Sequence, residues 1–335
     1  MERLTLDYLP REVLAKLDLE TTFMASRLVI EAERLQVFRK LQNKKLSADK
    51  IESILNIHPR YLIFFLNALV SLGLLHKKDD VYWNSHLTEK FFIQERSIYW
   101  TRQFSTEGVE NFRRFANLEK VLVSGKDYRE VMKQEPQSYI EEFHKDPKQA
   151  EDFTYMLYYY HQQDAQALAQ HLDLRDFRKV LDVGGGSGVM SITLVKQYPH
   201  LCASILEIEP VCKTAQQIIH QQGLTKHINT IVGNMNEDLP IGYDVIMFCD
   251  IGSVEENLLK KAYNRLPRNG MVVLVDRYLS EERTDPLDSI LHQFIGSSFP
   301  IETHEEMVDQ LHICGFKNIL KKNIYKDVWM ITGRT

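Results

Sequence analysis

Residues 180–188 read Val-Leu-Asp-Val-Gly-Gly-Gly-Ser-Gly, and this stretch decides the fold of the chain. Three apolar residues and one acid lead directly into a glycine-rich turn, and a helix-like pattern follows the turn. This order predicts a buried parallel strand, a tight turn and a helix whose N-terminus faces a ligand. The glycines allow a ligand to lie against the backbone, because they carry no Cβ.

The spacing of the glycines limits the class of ligand. A dinucleotide-binding loop has the order G-x-G-x-x-G. Gly184 and Gly186 fit this order, but Val189 stands where the third glycine belongs. A phosphate-binding P-loop needs Gly-Lys-Ser or Gly-Lys-Thr, which this stretch does not contain. The stretch instead resembles motif I of the class I S-adenosylmethionine-dependent methyltransferases. The ligand of that class has no phosphates, so the resemblance implies that the loop holds an amino-acid moiety and a ribose.

Apolar runs with polar residues at their ends follow the glycine loop. They cover residues 202–207, 230–235, 243–250 and 270–276, with helical stretches at 190–195 and 210–222. This alternation predicts an α/β fold, a Rossmann-like doubly wound parallel sheet with its ligand at the carboxyl ends of the strands. Glu207, about 20 residues beyond the glycines, is placed to accept hydrogen bonds from both ribose hydroxyls. Residues 315–319 and 328–332 predict a terminal antiparallel hairpin.

The N-terminal part of the chain has a different pattern. Residues 14–41 predict one amphipathic helix, and residues 46–55 predict a short helix with Ser47 at its N-cap. Residues 60–73 predict a helix closed by a glycine, and residues 74–83 predict two strands around a charged turn. The order of helix, turn, helix and hairpin predicts a winged helix.

The second helix of this winged helix lacks the surface that reads DNA. A DNA-reading helix presents polar and basic side chains to the major groove. Residues 61–72 are mostly apolar, and the helix carries a single arginine, Arg60. A helix that is apolar on most faces is expected to lie against a core or a subunit interface.

The length of 335 residues allows two domains. We predict a winged-helix dimerisation domain over residues 1–95 and linker helices that line the acceptor pocket over residues 96–172. An S-adenosylmethionine-binding domain is predicted over residues 173–335. Within it, residues 303–306 read Thr-His-Glu-Glu, a capping box that predicts the start of a helix.

Composition bounds the partners and the compartment. The net charge of −5 and the isoelectric point near 6.2 give no general reason to expect nucleic acid or a membrane as a partner. No apolar run reaches the roughly 18 residues of a membrane span, and the first residues lack the apolar core of a signal peptide. The four cysteines have no metal-binding or disulfide spacing. We therefore expect a cytoplasmic protein that needs no metal.

The order of these parts resembles, over nearly the whole chain, the plant and bacterial O-methyltransferase family, which includes caffeate, acetylserotonin and bacteriochlorophyll methyltransferases. The resemblance implies S-adenosyl-L-methionine as cofactor, a small-molecule acceptor and a homodimer that forms through the N-terminal domain. The predicted cofactor-binding residues are Asp182, Gly184, Gly186, Glu207, Asn234, Met235, Cys249 and Asp250. The predicted acceptor-binding residues are Phe153, Met156, Tyr160 and His292.

Some of these roles come from the resemblance residue by residue. Gly184 matches a glycine that contacts the methionine part of the cofactor. Asn234 and Met235 match an Asp-Met pair that flanks the adenine, and an asparagine can still form a hydrogen bond there. Phe153 and Met156 match a phenylalanine and a methionine that line the acceptor and cofactor pocket.

The chain departs from the family at the catalytic base. O-methylating relatives carry a His-Asp-Trp stretch after the fourth strand, and its histidine takes the proton of the acceptor hydroxyl. An alignment without gaps from Asp244 places Ser253 at that histidine and Cys249 at a lysine position, and an alignment backward from 266–270 requires a deletion in the loop. In either alignment no histidine lies between His227 and His292.

Three residues are candidates for the catalytic groups, namely His292, Asp250 and Ser253. His292 lies in an amphipathic stretch, residues 287–296, that in this family covers the acceptor pocket. Asp250 could hold the amino group of the cofactor or act as a base, and its alternative role is to cap the end of the strand. The aromatic residues 158–161 either form the pocket wall or pack between the linker helices.

The predicted function is S-adenosylmethionine-dependent methylation of a small aromatic or conjugated molecule. Methyl transfer is an in-line displacement with a neutral leaving group, so much of its acceleration comes from holding donor and acceptor in line. The missing histidine shifts the expected acceptor atom from oxygen towards carbon, sulfur or nitrogen. Two alternatives remain: a family member that binds the cofactor but catalyses another reaction, and a winged-helix regulator that senses the cofactor.

Overall fold

Two units make up the chain, Met1–Ala116 and Asn117–Thr335. The computed structural model describes residues 6–94, 97–126, 128–134, 138–295 and 302–335. The predicted division into three parts, with boundaries after residues 95 and 172, stays a prediction.

The N-terminal unit is mostly helical. Its α-helices are α1 Arg11–Leu14, α2 Leu19–Arg34, α3 Val37–Lys40, α4 Ala48–Leu55, α5 Pro59–Ser71, α6 His86–Thr88 and α7 Ser97–Phe115. A 3₁₀ turn covers Leu6–Tyr8 and a π-helical turn covers Glu89–Ile93. Its strands are β1 Leu46–Ser47, β2 Leu75–Lys78 and β3 Val81–Asn84. The three strands form a small antiparallel sheet in the order β1-β3-β2.

The single helix expected over residues 14–41 is wrong, because the chain breaks twice there. Asp18 begins α2 with a capping box: its carboxylate accepts a hydrogen bond from the backbone of Thr21, and Thr21 Oγ1 accepts one from the backbone of Asp18, both at 2.8 Å. Gln36 has a left-handed backbone (φ 57°) and separates α2 from α3. The helix after Ser47 is confirmed, although the Ser47 side chain makes no capping hydrogen bond.

The C-terminal unit contains ten further α-helices among the described residues. They are α8 Leu118–Ser124, α9 Tyr128–Met132, α10 Tyr139–Lys145, α11 Pro147–Tyr160, α12 Gln162–His171, α13 Val189–Gln197, α14 Glu209–Gln221, α15 Glu256–Arg265, α16 Leu287–Gln293 and α17 His304–Ile313. The strands of this unit are β4 Lys179–Val183, β5 Cys202–Glu207, β6 Ile228–Val232, β7 Val245–Cys249, β8 Met271–Asp276, β9 Lys317–Tyr325 and β10 Val328–Arg334.

The predicted Rossmann-like sheet is confirmed. Its strand order is β6-β5-β4-β7-β8-β10-β9. The first five strands run parallel, and β10 pairs antiparallel with both β8 and β9. The chain reverses its direction of travel across the sheet between β4 and β7, and this switch point is where α/β folds bind their ligands. The glycine loop leaves β4 at that point.

Both faces of the sheet are covered, as a doubly wound fold requires. Along β7, Val245 and Met247 pack into one apolar core, whereas Ile246 and Phe248 pack into the other. Helices α12, α13 and α14 contribute to the first core, and α15 and α17 contribute to the second. Because the first five strands run parallel, their carboxyl ends lie at one edge of the sheet, and the helices packed on both faces hold them there.

Several predicted elements have different bounds in the structure. The strand expected over 230–235 ends at Val232, so the residues after it lie in a turn. The terminal hairpin is confirmed and is longer than predicted. The helix expected over 287–296 is α16, and residue 296 lies outside the described residues. The capping box at Thr303 is confirmed, since Thr303 accepts a hydrogen bond from the backbone of Glu306 and donates its own backbone N–H to the Glu306 carboxylate.

In the part of the chain that the structure describes, no single helix has the length and hydropathy of a membrane span. Helices α4 and α5 reach these limits only when they are taken together, and the chain bends by 108° between them.

Candidate cofactor and acceptor site

The glycine loop after β4 has a geometry that only glycine tolerates. Gly184 has a left-handed backbone with φ of 66°, and a Cβ there would lie 2.8 Å from Cγ2 of Ile251. A Cβ on Gly185 would lie 2.5 Å from Cγ of Asp182. The loop is therefore packed between β4 below it and the segment after β7 beside it, and its backbone can be approached closely by a ligand.

Asp182 supports this loop from inside the sheet. Its side chain is fully buried, and one carboxylate oxygen accepts a hydrogen bond of 2.6 Å from Ser191 on α13. The other oxygen, Oδ1, is buried and has no hydrogen-bond partner. Burial raises the pKa of Asp182 to about 6. A buried carboxylate oxygen without a hydrogen-bond partner is energetically unfavourable, and a polar ligand at the loop could supply the missing hydrogen bond.

Glu207 stands at the carboxyl end of β5, where the ribose-binding acid was predicted. Its side chain is buried, and it accepts a hydrogen bond of 2.8 Å from the backbone of Ile208. Burial raises the pKa of Glu207 to about 7, although hydrogen bonds from the backbone of Ile208 and Gly186 oppose this. A buried carboxylate next to the glycine loop fits a ribose, because two hydroxyls can donate to its oxygens.

Aromatic side chains from α10 and α11 lie beside Glu207. The ring of Phe143 lies 4.6 Å from that of Tyr139 and 5.2 Å from that of Phe153, centroid to centroid. Loss of solvation at its hydroxyl group and the charge of Glu207 raise the pKa of the Tyr139 phenol, although 42% of the residue is exposed. Phe153, predicted to line the pocket, therefore belongs to an aromatic group next to the acid of β5, where a nucleoside would present its flat base.

Asn234 and Met235 lie in the turn after β6. The side-chain oxygen of Asn234 accepts a hydrogen bond of 2.9 Å from the backbone of Asn236. A Cβ on Gly184 would lie 3.8 Å from Sδ of Met235, so Met235 and Ile251 meet at the glycine loop. The structure brings the predicted adenine-flanking methionine to the predicted cofactor loop.

The carboxyl ends of β7 and β8 add two acids and a buried thiol to this edge. Burial and the charges of Asp182 and Asp276 raise the pKa of the Cys249 thiol well above its usual range. Burial and the charge of Asp250 also raise the pKa of Asp276, whose carboxylate accepts a hydrogen bond of 2.7 Å from the backbone of Arg277. This acid-rich edge favours a ligand that carries positive charge.

Asp250 contacts two cationic side chains that sequence reasoning missed. Its Oδ1 accepts a hydrogen bond of 3.2 Å from Arg277, and its Oδ2 lies 2.9 Å from Nε2 of His161. His161 and Arg277 both contact Asp164 in turn. No sequence motif predicts this arrangement. The only signal in the sequence is the spacing of three residues between His161 and Asp164, which places the two on one side of a helix.

The remaining predicted residues lie on different elements. Ser253 is exposed in the loop after β7, and its hydroxyl donates a hydrogen bond of 2.8 Å to Glu302. His292 is half-buried on α16, Met156 is buried on α11, and the guanidinium of Arg277 lies 5.7 Å from the ring of Tyr160. The roles predicted for these residues stay predictions.

One cluster of acids and a histidine could in principle hold a metal ion. Among the described residues, Glu281, His304 and Glu305 bring one ligand atom each within 4.8 Å of one another. The ammonium of Lys321 lies 3.1 Å from Nδ1 of His304 and also pairs with Glu305. A lysine cation therefore already contacts the groups that a metal ion would need.

The fold and the glycine loop define a class I methyltransferase, and comparison with known proteins places the chain in a family of that class. The sequence profile of the O-methyltransferase domain family matches residues 115–306, which is more than half of the 335 residues. The chain belongs to this family, and it is an S-adenosylmethionine-dependent methyltransferase.

Individual relatives agree with this assignment. The chain is 29% identical over 290 residues to an L-tyrosine C(3)-methyltransferase of Streptomyces lavendulae, covering 80% of this chain and 75% of the relative. It is 24% identical over 311 residues to a 3-hydroxy-5-methyl-1-naphthoate 3-O-methyltransferase of Streptomyces sahachiroi, covering 90% and 89%. The fold matches the solved structure of PigF with SAH at a TM-score of 0.82 and 20% identity, covering 94% of this chain and 97% of that one.

Proposed function

We propose that the protein methylates an electron-rich ring carbon of a small aromatic or conjugated acceptor. The observation that carries this proposal is the loop after β7, which has no histidine where O-methylating relatives have theirs; the alignment without gaps puts Ser253 at that position, and the other alignment has a deletion there. The side chain of Ser253 is exposed and donates a hydrogen bond to Glu302, so no imidazole is available at that position to take the proton of a hydroxyl.

The chemistry of a ring carbon suits such a site. In the transfer the bond from sulfur to the methyl group breaks and a bond from carbon to the methyl group forms, and the ring then loses a proton to restore its aromaticity. The proton leaves after the methyl group has been transferred, when it has become acidic, so a strong base beside the acceptor oxygen is not required. The name of the L-tyrosine C(3)-methyltransferase supports this class of reaction, and the name of the naphthoate 3-O-methyltransferase supports the alternative, an oxygen acceptor.

The cofactor would be held along the edge that the acids form. Gly184 and Gly186 would lie against its methionyl part, Glu207 would accept the ribose hydroxyls, and Met235 would flank the adenine. When bound, S-adenosylmethionine supplies an electrophilic methyl group on a positively charged sulfur. The residues of this chain bind and orient it and exclude water.

Asp250 is proposed to receive the α-ammonium group of the methionyl part. It follows β7 directly and its neighbour Ile251 lies against Gly184. Its two oxygens lie 2.9 Å from Nε2 of His161 and 3.2 Å from Arg277, and a carboxylate held in this way can still accept a hydrogen bond from an ammonium.

The acceptor would lie on the side of α11 and α16. Met156 and Tyr160 of α11 are proposed to form its wall, and His292 of α16 is proposed to take the proton that the acceptor loses. The half-buried position of His292 suits this role, because an imidazole there can exchange protons with water.

Matched pairs of small phenols test the proposal. One member of each pair has a free carbon next to the hydroxyl, and the other has both adjacent carbons blocked by substituents. We expect release of S-adenosylhomocysteine only with the first member. Equal release with the blocked phenols would show that oxygen is the acceptor.

A winged-helix fold and a homodimer are proposed for the N-terminal unit. Helices α4 and α5 with the small sheet have the order of a winged helix, and several large apolar side chains on α2 and α5 are exposed. They are Phe23 at 59%, Met24 at 54%, Tyr61 at 60% and Phe64 at 72%. Phe23, Met24 and Tyr61 also line a groove of about 490 Å³. A second copy of the chain is the proposed occupant of this surface, because such a patch is larger than isolated exposed side chains explain.

A cytoplasmic location is proposed from the state of the cysteines. All four are free thiols, and Cys212, Cys249 and Cys314 are buried. Free buried thiols are typical of proteins in a reducing compartment.

A further inference from the structure

Four charged side chains form a closed ring beside the cofactor edge. Nδ1 of His161 lies 2.8 Å from Oδ2 of Asp164, and Nε2 of His161 lies 2.9 Å from Oδ2 of Asp250. Arg277 closes the ring, because its two terminal nitrogens lie 2.9 Å from Asp164 Oδ2 and 3.2 Å from Asp250 Oδ1. The contact between His161 and Asp250 has the distance of an ion pair, although the N–H direction is not aligned for a hydrogen bond.

The ring joins elements that are far apart in sequence. His161 stands at the junction where α11 ends and α12 begins, and Asp164 lies in the first turn of α12. Asp250 directly follows β7 and has a left-handed backbone with φ of 53°. Arg277 directly follows β8. The ring therefore ties a pair of helices to the ends of β7, which lies next to the glycine strand β4, and of β8, which lies next to β7.

The ring is electrically balanced when His161 is protonated. Burial lowers the pKa of His161, but the charge of Asp250 and the bond to Asp164 outweigh it and raise the pKa to about 9. At neutral pH two carboxylates thus face an imidazolium and a guanidinium. The burial of the ring decreases towards Asp250, since 6% of the side chains of His161 and Asp164 is exposed, against 26% of that of Asp250.

We propose that His161 is a positioning residue for the cofactor, which acts by fixing the carboxylate of Asp250 where it receives the α-ammonium group of S-adenosylmethionine. The proposal rests on the role of Asp250 given under the proposed function. Asp250 is the most exposed member of the ring and the one next to the glycine loop, so it is the member that a ligand can reach. Its two oxygens are held by separate cations, which fixes the plane of the carboxylate.

The contacts in this ring suit a positioning role better than the role of a general base. A base at Asp250 would have to take a proton although two cations beside it favour the ionised form. His161 already carries its proton at neutral pH and has an acid on each side, so it has no capacity to accept another. Orientation of an ammonium needs only an ionised carboxylate in a fixed place.

The test compares two ligands that share the nucleoside and differ in the amino-acid part, which carries the α-ammonium group that Asp250 would contact. S-adenosylhomocysteine carries the amino-acid part, and 5′-methylthioadenosine carries the same nucleoside without it. Dissociation constants of both are measured by calorimetry at pH 7 for the wild type, His161→Gln and Asp250→Asn. We expect each substitution to weaken the binding of S-adenosylhomocysteine about tenfold, which is the scale of one charge-assisted hydrogen bond. The affinity for 5′-methylthioadenosine should stay unchanged.

His171→Gln is the matched control, because His171 ends the helix that His161 precedes and its ring lies within hydrogen-bond distance of the backbone oxygen of Ala167. It should change neither affinity. If His161→Gln weakens both ligands equally or neither of them, the positioning role is wrong. If it does not fold, Asp164→Asn takes its place, with the same selective loss expected and an equal loss or none contradicting the proposal.

The variants also separate the two claims. A normal affinity of Asp250→Asn for S-adenosylhomocysteine would remove Asp250 from the cofactor site, and the role of His161 with it. A selective loss in Asp250→Asn without one in His161→Gln would contradict only the positioning role. Neither result bears on whether the acceptor atom is carbon.

Discussion

We propose that single residues at the carboxyl edge of the sheet determine how the cofactor is recognised. Glu207 and Asp182 are buried carboxyl groups whose pKa values are raised, so each holds its proton to a higher pH than an exposed acid. A ligand that donates hydrogen bonds to the ionised form of Glu207 must therefore displace a proton when the pH is below about 7.

Binding of 5′-methylthioadenosine should depend on pH through Glu207. Hydrogen bonds from the ribose lower the pKa of Glu207 in the complex, so the affinity should rise as the pH increases towards about 7 and level off above it. Calorimetry between about pH 6 and about pH 8, roughly one pH unit on either side of that pKa, measures this. Glu207→Gln should weaken binding and abolish the pH dependence. Glu209→Gln is the control, since Glu209 is exposed on α14 and pairs with Lys213.

His292→Ala tests the proposed proton acceptor. Turnover should fall strongly, whereas the affinity for S-adenosylhomocysteine should stay as in the wild type, because His292 is proposed to contact the acceptor alone. Steady-state kinetics and calorimetry provide the two readouts. His312→Ala, an exposed histidine on α17, should change neither. Normal turnover in His292→Ala would remove this residue from the mechanism.

The ring around His161 shows what single-residue reasoning cannot find. The predicted acids Asp182, Glu207 and Asp250 follow apolar runs, and strand ends are visible in the sequence. His161 and Arg277 belong to segments far apart in the chain, and only the folded topology brings them to the same carboxylate. Their partnership depends on how α11 and α12 pack against the sheet, which no local pattern encodes.

At the scale of elements, the sheet was predictable because buried parallel strands are continuous apolar runs bounded by turns. The runs predicted at 180–183, 202–207 and 270–276 are strands within one residue of those bounds. The breaks in the N-terminal helical region were not predictable, because the apolar periodicity of residues 14–41 continues across both of them. Local hydrogen bonding at Asp18 and a left-handed residue at Gln36 end the helices there. Periodicity reports which side is buried, not whether the backbone is continuous.

Gly184→Ala tests the glycine loop as an element. The new Cβ would be strained by the left-handed backbone and would lie 2.8 Å from Ile251. Gly223→Ala is matched in backbone, with φ of 71°, but nothing lies within 4 Å of its Cβ position. Each variant should lose about 1 kcal/mol of unfolding free energy from the backbone strain. Only Gly184→Ala should also lose affinity for S-adenosylhomocysteine, and an equal loss in both would contradict a ligand at the loop.

At the scale of the whole molecule, we propose that the two units carry different tasks. The C-terminal unit contains the sheet, the glycine loop and the acids of the cofactor site. The N-terminal unit contains none of these and presents exposed aromatic side chains on α2 and α5. This distribution supports the division between a catalytic unit and an assembly unit.

Phe64→Glu tests the assembly. A charge in the apolar surface should disrupt a dimer, because an unpaired carboxylate cannot be buried at low cost. Light scattering should show twice the chain mass of 39.2 kDa for the wild type and the chain mass itself for the variant. Ile241→Glu, in the C-terminal unit and equally exposed at 73% against 72%, should remain dimeric. A monomeric wild type would contradict the proposed homodimer.

We propose that this methyltransferase transfers its methyl group to carbon, because the loop after β7 has no histidine where O-methylating relatives have one. The most direct measurement uses S-adenosylmethionine with a ¹³C-labelled methyl group and a phenol that the enzyme accepts, followed by nuclear magnetic resonance of the isolated product. We expect a labelled methyl signal in the range of aryl methyl carbons, with loss of one ring hydrogen. A labelled signal in the range of aryl methyl ethers, with every ring hydrogen retained, would contradict the proposal.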